Sequence, residues 1–352
     1  MGSFIKRNFS FAVFAALLAF SFLTGGCNNG EKVPDVSGIK INMQVKRLDR
    51  DLAKLDTNHL AAGLQQLKQA YPDFLDFYLD TLIGLNINRN YNDTVAAIHT
   101  GLKTYLTYKD YKGLLDTVAT HYPDTKSIDE QLAKGFQYMK YYYPTFKVPQ
   151  VVYLVSYLNN WGAFTYGDNF VGIGLDMFLG ARYPYYRSIG LPDYLYTHLT
   201  ADYIPVATFS AIYNNIHPFV TDERTLLDMI IQRGKQQYFL HKVLPFVADT
   251  TRYGYTQKQL KWCTESEAEV YNFFIRDNLF YQTNWQQVLR YVNDGPTSTG
   301  MPPQSPGNIG SWLGYRIVQS YVAQHPQITL NELLKENDAQ KFLQEAKYKP
   351  NK

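Results

Sequence analysis

The sequence predicts an α+β fold, predominantly helical, with a short β-hairpin and sheet around residues 148–175. Apolar residues recur at steps of three and four along most of the chain, which is the periodicity of amphipathic helices. The run Val151–Val155 is instead continuous, apolar and β-branched, as in a buried strand. With 352 residues, 45% of them hydrophobic, the chain can bury a large core and is too apolar for a disordered protein.

The first thirty residues have the layout of a bacterial lipoprotein signal. Lys6 and Arg7 are followed by an apolar run at positions 9–23 and by small residues that lead to Cys27. That run is shorter than the roughly 20 apolar residues that a membrane-spanning helix needs. We therefore predict that residues 1–26 are removed and that Cys27 is acylated. The alternative is an ordinary cleaved signal peptide with an incidental cysteine.

A tether and one domain are expected after the signal. Residues 27–38 are polar and contain glycine and proline, a composition typical of a flexible linker. No comparable linker interrupts residues 39–352, which we predict to form a single α+β domain. With Cys27 acylated, Cys263 has no partner in the chain and is expected to be buried as a small hydrophobic residue.

The first part of this domain is predicted to be helical after one short strand. Ile39, Ile41, Met43 and Val45 alternate with polar residues, as in a strand within residues 39–48. Helical periodicity follows, and predicted helices cover residues 49–71, 74–85, 94–108, 112–120 and 128–143.

The predicted sheet begins with the strand Val151–Val155. A hairpin follows, in which residues 163–166 and 169–175 are joined by a Gly-Asp pair, a frequent two-residue turn. Gly172 and Gly174 lie at period two in its second strand, which indicates a bulge or the close approach of another backbone or ligand.

Helices return after the hairpin. They are predicted at 192–216 with an interruption near Pro205, at 225–244, at 264–280, at 309–322 and from Thr329 onwards. Gly234 lies inside the second of these at a cost of about 1 kcal/mol relative to Ala, so close packing against a neighbour is expected. Thr264, with Glu267 three residues later, matches a capping box at the start of the third.

The loop from residue 293 and the helix start after it form the most site-like stretch. Glycines at a helix N-terminus expose backbone N–H groups that bind anions or carboxylates. We predict a binding surface of Asn308, Trp312, Tyr315 and Arg316, with Arg316 pairing with a carboxylate. The edge of strand 169–175 is expected beside it, where it would pair with a partner's backbone. The alternative is that these residues only cap and pack the helix.

Catalytic motifs are largely missing. The HExxH zinc motif needs two histidines one helical turn apart, whereas the closest pair here is His198 and His217. His198 and Asp202, four residues apart, could supply half a metal site but more often form a salt bridge. No nucleophile elbow, P-loop or dinucleotide fingerprint occurs. We predict no catalytic residue, no metal and no cofactor.

The net charge and the clustered carboxylates likewise give no strong signal for nucleic-acid binding or for catalysis. The formal net charge is only +3, which argues against nucleic acid as a partner. Glu265, Glu267 and Glu269 could contain a catalytic pair, but they lie at a predicted helix start, where the helix dipole favours carboxylates.

Five motifs occur in one order along the chain: VGIGLDMFLG at 171–180, GKQQYFLHKVLP at 234–245, WCTESEAEVYNFFI at 262–275, SPGNIGSWLGYRIVQSYV at 305–322 and EAKYKP at 345–350. Together they resemble the GldB family, the gliding-motility lipoproteins of Bacteroidota, over essentially the whole mature chain. The resemblance implies a cell-envelope lipoprotein that gliding species require for gliding, without an accepted catalytic activity. Asn308 and Tyr315 depart from the family pattern, which has Arg and Trp there, and this leaves room for a different binding specificity.

The family in turn looks distantly like predicted zinc-dependent peptidases of the zincin type. In those, a strand pair like 151–175 precedes the HExxH helix, and a glycine-containing helix like 225–244 supplies a glutamate. This chain lacks the histidine pair and has Gln232 and Arg233 near the glutamate position. The resemblance therefore implies a metal-free zincin-like domain, expected to hold no stoichiometric zinc and to cleave no peptide.

Three functions remain as hypotheses. The first is a non-catalytic component, anchored by its lipid in the outer membrane and facing the periplasm, that contacts other envelope or motility proteins. Its periplasmic side is favoured because residues 28–32 lack the paired acids that resemble a surface-export signal of this phylum. The second is a divergent hydrolase or peptidase with a site around His198, Asp202 and Glu265. The third is a glycan-binding lipoprotein, because 30 Tyr and 4 Trp offer stacking platforms.

Overall fold

The computed structural model describes residues 33–159 and 162–351. Cys27, the signal and the first half of the predicted tether therefore lie outside the described residues. Residues Val36–Lys352 form one compact unit, which starts three residues before the predicted domain. Within the described ranges, every helix is too short or too polar to cross a bilayer.

One four-stranded sheet organises the fold, with the strand order β1-β2-β4-β3. Its strands are β1 Val45–Arg47, β2 Gln150–Leu154, β3 Ala163–Tyr166 and β4 Phe170–Gly174. β2 pairs in parallel with β1 and β4, and β3 pairs antiparallel with β4. The predicted buried strand and the predicted hairpin are confirmed, whereas only the last residues of the predicted strand 39–48 join the sheet.

β4 is an inner strand of this sheet. It pairs along its length with β2 on one side and with β3 on the other. The prediction that its edge pairs with a partner's backbone is therefore wrong, because both of its edges are already hydrogen-bonded.

The sheet lies between two hydrophobic cores. Val151 and Tyr153 belong to the larger core, while Val152 and Leu154 belong to the smaller one. A strand that is covered on both faces needs apolar residues at every position, which explains the continuous run in the sequence.

Gly172 of β4 makes room for an aromatic ring. It lies opposite Phe164 of β3, and a Cβ at this position would collide with the Phe164 ring. The close approach indicated by the sequence is thus that of a side chain from the neighbouring strand.

The chain between β1 and β2 is helical. It forms α1 Leu48–Ala53, α2 Leu60–Ala70, α3 Pro72–Phe77, π-helical turns at Tyr78–Leu82 and Ala97–Leu102, α4 Lys103–Thr107, α5 Lys109–His121 and α6 Lys126–Tyr142. The segments up to α4 supply the smaller core, and α5 and α6 pack into the larger one.

Helices also make up the chain after the hairpin. They are α7 Tyr185–Ser188, α8 Ile204–Ile216, α9 Leu226–Val243, α10 Asp249–Tyr253, α11 Gln257–Glu265, α12 Glu267–Arg276, α13 Trp285–Val292, α14 Ile309–Gln324, α15 Leu330–Lys335 and α16 Ala339–Ala346. Most pack around α9 and α14 in the larger core, where Cys263 is fully buried as expected.

One of two predicted helix features is confirmed and the other is wrong. The stretch 192–216 is interrupted near Pro205 as predicted: 3₁₀ turns cover 193–198 and 201–203, and α8 starts only at Ile204. Pro205 lies in its first turn, where its missing N–H has no partner to lose. Thr264 lies inside α11, and its hydroxyl donates to the Leu260 carbonyl. The predicted capping box of Thr264 and Glu267 is therefore wrong, and Thr256 caps α11 instead.

The centre of the larger core is the crossing of α9 and α14. A Cβ on Gly234 would collide with the backbone of Gly314, and a Cβ on Gly314 would collide with the Ile230 carbonyl. The two helix backbones therefore touch, and the predicted close packing at Gly234 is confirmed.

Candidate functional site

The loop that precedes α14 closes on itself. The Ser298 hydroxyl donates to the Pro306 carbonyl at 2.8 Å, and the Ser298 N–H donates to the Ser305 hydroxyl at 3.3 Å. A Cβ on Gly307 would collide with the backbone of Gly295. The glycines thus let the two arms of the loop pack together.

The start of α14 differs from the open anion site expected from the sequence. Asn308 is the N-cap residue in a left-handed conformation, with φ 56°. A Cβ on Gly310 would lie 2.8 Å from the Tyr291 carbonyl oxygen. Residues 305–307 and 309–311 are buried, so this first turn is packed against the protein and offers little access to a ligand.

Two of the predicted surface residues are core residues. Trp312 and Tyr315 are 4% and 6% exposed. The Tyr315 ring lies 4.4 Å from the guanidinium of Arg252, which also stacks on Tyr253 at 4.3 Å. Tyr315 therefore forms part of a buried stack around Arg252, a residue that nothing in the sequence marks as buried.

Arg316 does pair with a carboxylate, but that carboxylate belongs to the chain itself. Its Nε and Nη2 lie 3.0 and 3.3 Å from the two carboxylate oxygens of Glu267, which is 1% exposed. Glu267 also accepts hydrogen bonds from the Tyr348 hydroxyl at 2.6 Å and from Asn351 at 2.8 Å. Burial, and then this bond to Glu267, raise the pKa of Tyr348. The network ties the C-terminal residues to α12 and α14.

A small open cleft of about 120 Å³ lies beside the loop. Its walls come from residues 193–198, from residues 253–259 and from loop residues between 294 and 307. The predicted loop therefore does border a cleft, although Trp312, Tyr315 and Arg316 do not line it. Tyr194, on its rim, is 37% exposed.

His198 is the histidine that lines this cleft. Its Nδ1 lies 3.8 Å from Oδ2 of Asp294, and its ring stacks on Tyr203 with 4.5 Å between the centroids. Burial lowers the pKa of His198, while the nearby Asp294 acts in the opposite direction. Asn308 donates to Oδ1 of Asp294 at 3.1 Å. Of the four predicted surface residues, Asn308 is thus the one connected to the cleft.

The residues of the alternative hydrolase site are not brought together. His198 and Asp202 lie on separate 3₁₀ turns, and Asp202 is exposed. Glu265 is on the surface, 3.6 Å from Lys261. In the part of the chain that the structure describes, no three His, Cys, Asp or Glu side chains are placed to hold a metal. The real neighbour of His198 is Asp294, which local spacing in the sequence could not reveal.

Gln232 and Arg233 of α9 hold a loop in place. The Gln232 amide makes two hydrogen bonds of 2.9 Å with the backbone of Val220, one donated and one accepted. The Arg233 guanidinium lies 4.1 Å from the ring centroid of Phe219 and donates to the Val292 carbonyl at 3.0 Å. The side chains near the expected glutamate position therefore make structural contacts.

These features define a single-domain, predominantly helical protein with one small mixed sheet and a cleft at the loop before α14. The chain matches the sequence model of a family described as gliding motility protein GldB over residues 29–350. The match covers nearly the whole chain, so the protein belongs to the GldB family, and the resemblance is confirmed. No curated protein and no solved structure matches it. The family relates the protein to gliding motility and to the cell envelope, while the zincin-like fold stays a prediction.

Proposed function

We propose that this protein is a lipid-anchored, non-catalytic component of the cell envelope that supports the gliding machinery through contacts with other envelope or motility proteins. The observation that carries the proposal is the family match, which starts at residue 29, two positions after Cys27. In this arrangement the lipid on Cys27 holds the protein at the outer membrane, with the domain facing the periplasm.

A role without catalysis agrees with the separation of the candidate catalytic groups. The hydrolase hypothesis needs His198, Asp202 and Glu265 in one site, whereas the charged neighbour of His198 is Asp294 and that of Glu265 is Lys261. At the cleft, the Thr197 hydroxyl donates to the Gly254 carbonyl at 2.7 Å, so its proton is directed away from His198. The stacked rings of Tyr253 and Tyr255 at the cleft are buried and therefore offer no stacking platform to a glycan.

The contact surface in this proposal is the rim of the His198 cleft. Tyr194 supplies an exposed aromatic ring, and Asp193 and Asp294 supply carboxylates with side chains 75% and 43% exposed. Asp193 already lies 3.7 Å from the exposed Arg187, which a basic ligand would have to displace. An aromatic ring beside two carboxylates suits a peptide segment that carries a basic side chain.

A photo-crosslinking experiment in the native membrane tests this surface. Tyr194 is replaced by p-benzoylphenylalanine, and Tyr185, which is 58% exposed and does not line the cleft, receives the same replacement as a matched control. We expect position 194 to crosslink to an envelope or motility protein that mass spectrometry identifies. We expect Asp294→Asn to reduce that crosslink and position 185 not to form it.

Equal crosslinks from both positions would show that the cleft rim is not selective. If Asp294→Asn abolishes gliding but position 194 forms no crosslink, the contact lies elsewhere on the domain.

A further inference from the structure

A second cavity, of about 240 Å³, lies between the end of α8, the first half of α9 and residues 334–339. Lys235 of α9 lines this cavity and is 4% exposed. Its Nζ donates to the carbonyls of Leu334 at 3.1 Å and Glu336 at 2.8 Å, and the Phe342 ring centroid is 5.9 Å away. An ammonium has three N–H donors. In the described part of the chain the third has no oxygen acceptor.

The acidic residues around the cavity are engaged elsewhere. The Asp228 carboxylate accepts from the N–H and the hydroxyl of Thr225 in the cap of α9. The Glu336 carboxylate pairs with Lys341 at 2.6 Å. Among the described residues, no carboxylate lies within ion-pair distance of Lys235 Nζ. Burial lowers the pKa of Lys235 to about 8, although Glu336 opposes this. The ammonium is thus charged at neutral pH and lacks a counterion.

The orientation of the amides at the cavity follows from Arg233. A guanidinium can only donate, so the Gln236 oxygen must face Arg233 Nη1, at 3.2 Å. The Gln236 amide nitrogen then donates to the Asn214 oxygen at 3.2 Å. This relay fixes the Asn214 amide, which is exposed on the cavity wall, with its NH₂ group left to donate outwards. Arg233 therefore fixes the orientation of both amides.

We propose that this cavity binds a carboxylate, held by the ammonium of Lys235 and by the amide NH₂ of Asn214. Both groups present donors, so the ligand must offer acceptors, and Lys235 together with Arg224 on the cavity wall favours an anion. Burial, Lys235 and Lys335 lower the pKa of the neighbouring His217, so that imidazole adds no further charge at neutral pH. The carboxylate comes from a small free acid or from the C-terminus of a peptide. This inference does not depend on the proposed function.

Calorimetric titration of the full-length lipoprotein in detergent tests the proposal. The probes are N-acetylalanine and an N-acetylated pentapeptide with a free C-terminus, each compared with its C-terminal amide. We expect the acids to bind and the amides to bind about tenfold more weakly or not at all. Binding of the pentapeptide acid alone would identify a protein C-terminus as the source, and binding of N-acetylalanine would identify a small acid.

Two variants and one control assign the site. Asn214→Asp keeps the oxygen that accepts from Gln236 but replaces the NH₂ donor by an anionic oxygen, so acid binding should fall about tenfold or more. Lys235→Met removes the ammonium and should abolish acid binding. Asn215→Asp makes the same change of charge one residue away, on a side chain that is directed at Asp168 and lines a different cavity, and should leave binding nearly unchanged.

Lys235→Met also removes two internal hydrogen bonds and could fail to fold. The test of the proposal therefore depends on Asn214→Asp. Three results would each overturn the proposal. They are equal affinity for acid and amide, no binding of either acid, or undiminished acid binding by Asn214→Asp.

Discussion

At the scale of single residues, Glu267 is the carboxylate on which the C-terminal part of the domain depends. It is 1% exposed and accepts hydrogen bonds from Arg316, Tyr348 and Asn351. A buried charge without its partner is strongly destabilising, whereas an exposed ion pair contributes little. The energetic weight of this network therefore follows from the burial of Glu267.

Arg316→Met is expected to lower the free energy of unfolding by about 2–3 kcal/mol, because Glu267 keeps only its two uncharged donors. Urea denaturation measures this change. Arg276→Met is the matched control, because Arg276 pairs with Asp277 on the surface and its loss should change stability little. A loss of stability in Arg316→Met as small as that expected for Arg276→Met would show that the pair with Glu267 does not stabilise the fold.

His198 makes stability depend on pH. Its pKa in the folded state is lowered from the ordinary 6.5 by burial, so the unfolded chain takes up the proton first. Its contribution to stability is present above pH 6.5 and is lost as the pH falls through the folded-state pKa. We expect the denaturation midpoint to decrease as the pH is lowered below 6.5. His198→Gln should make the midpoint depend less steeply on pH in this range.

His59 is the control for that experiment. It is exposed, and its hydrogen bond to Asp56 raises its pKa. His59→Gln should therefore not flatten the slope below pH 6.5. A pH profile unchanged by His198→Gln would mean that His198 is not held neutral in the fold.

At the scale of elements, the crossing of α9 and α14 sets the geometry of the larger core. Both helices carry a glycine at the contact, which removes the side chains that would otherwise keep the backbones apart. α9 also carries Arg233, which donates to the Val292 carbonyl, and Lys235, which donates to the Leu334 carbonyl at the second cavity. The crossing therefore also sets the position of these two side chains.

Gly234→Ala is expected to destabilise the protein by about 1–3 kcal/mol, because the new Cβ meets the backbone of Gly314 and outweighs the gain in helix propensity. Gly113→Ala in α5 is the matched control: nothing lies within 4 Å of its added Cβ, so it should gain about 0.5–1 kcal/mol. Thermal or urea unfolding compares the two. A stabilising Gly234→Ala would contradict the backbone contact.

At the scale of the whole molecule, the family assignment and the predicted lipid concern where the domain acts. The GldB match covers residues 29–350, which includes the whole compact unit except its last residues. Among several pockets in the described part of the chain, the two to which we assign roles are the cleft beside the loop before α14 and the cavity at Lys235.

Cys27→Ser is expected to move the protein from the membrane fraction to a soluble periplasmic form, because the thiol that carries the lipid is gone. Fractionation and mass spectrometry of the mature N-terminus measure this, and Cys263→Ala, which alters the other cysteine, should remain in the membrane fraction. An unmodified N-terminus at any residue after 27, or a Ser variant that stays in the membrane, would contradict the prediction.

The sequence by itself determined the fold class, the strands β2 to β4, several of the helices, the close packing at Gly234 and the family. These properties are recorded locally: a period of two or of 3.6 residues shows which faces are buried, as in the alternation at 39–45 and the continuous run in β2. The sequence also predicted a carboxylate as the partner of Arg316, because a guanidinium pairs well with a carboxylate.

Only the tertiary structure decided which side chains face solvent and which distant groups meet. Trp, Tyr and Arg occur in cores as well as in binding surfaces, so the sequence could not show that Trp312 and Tyr315 are buried. The pairs Arg316–Glu267 and His198–Asp294 join residues far apart in the chain. Such contacts depend on how helices pack, and the spacing of residues along one helix carries no information about its neighbours.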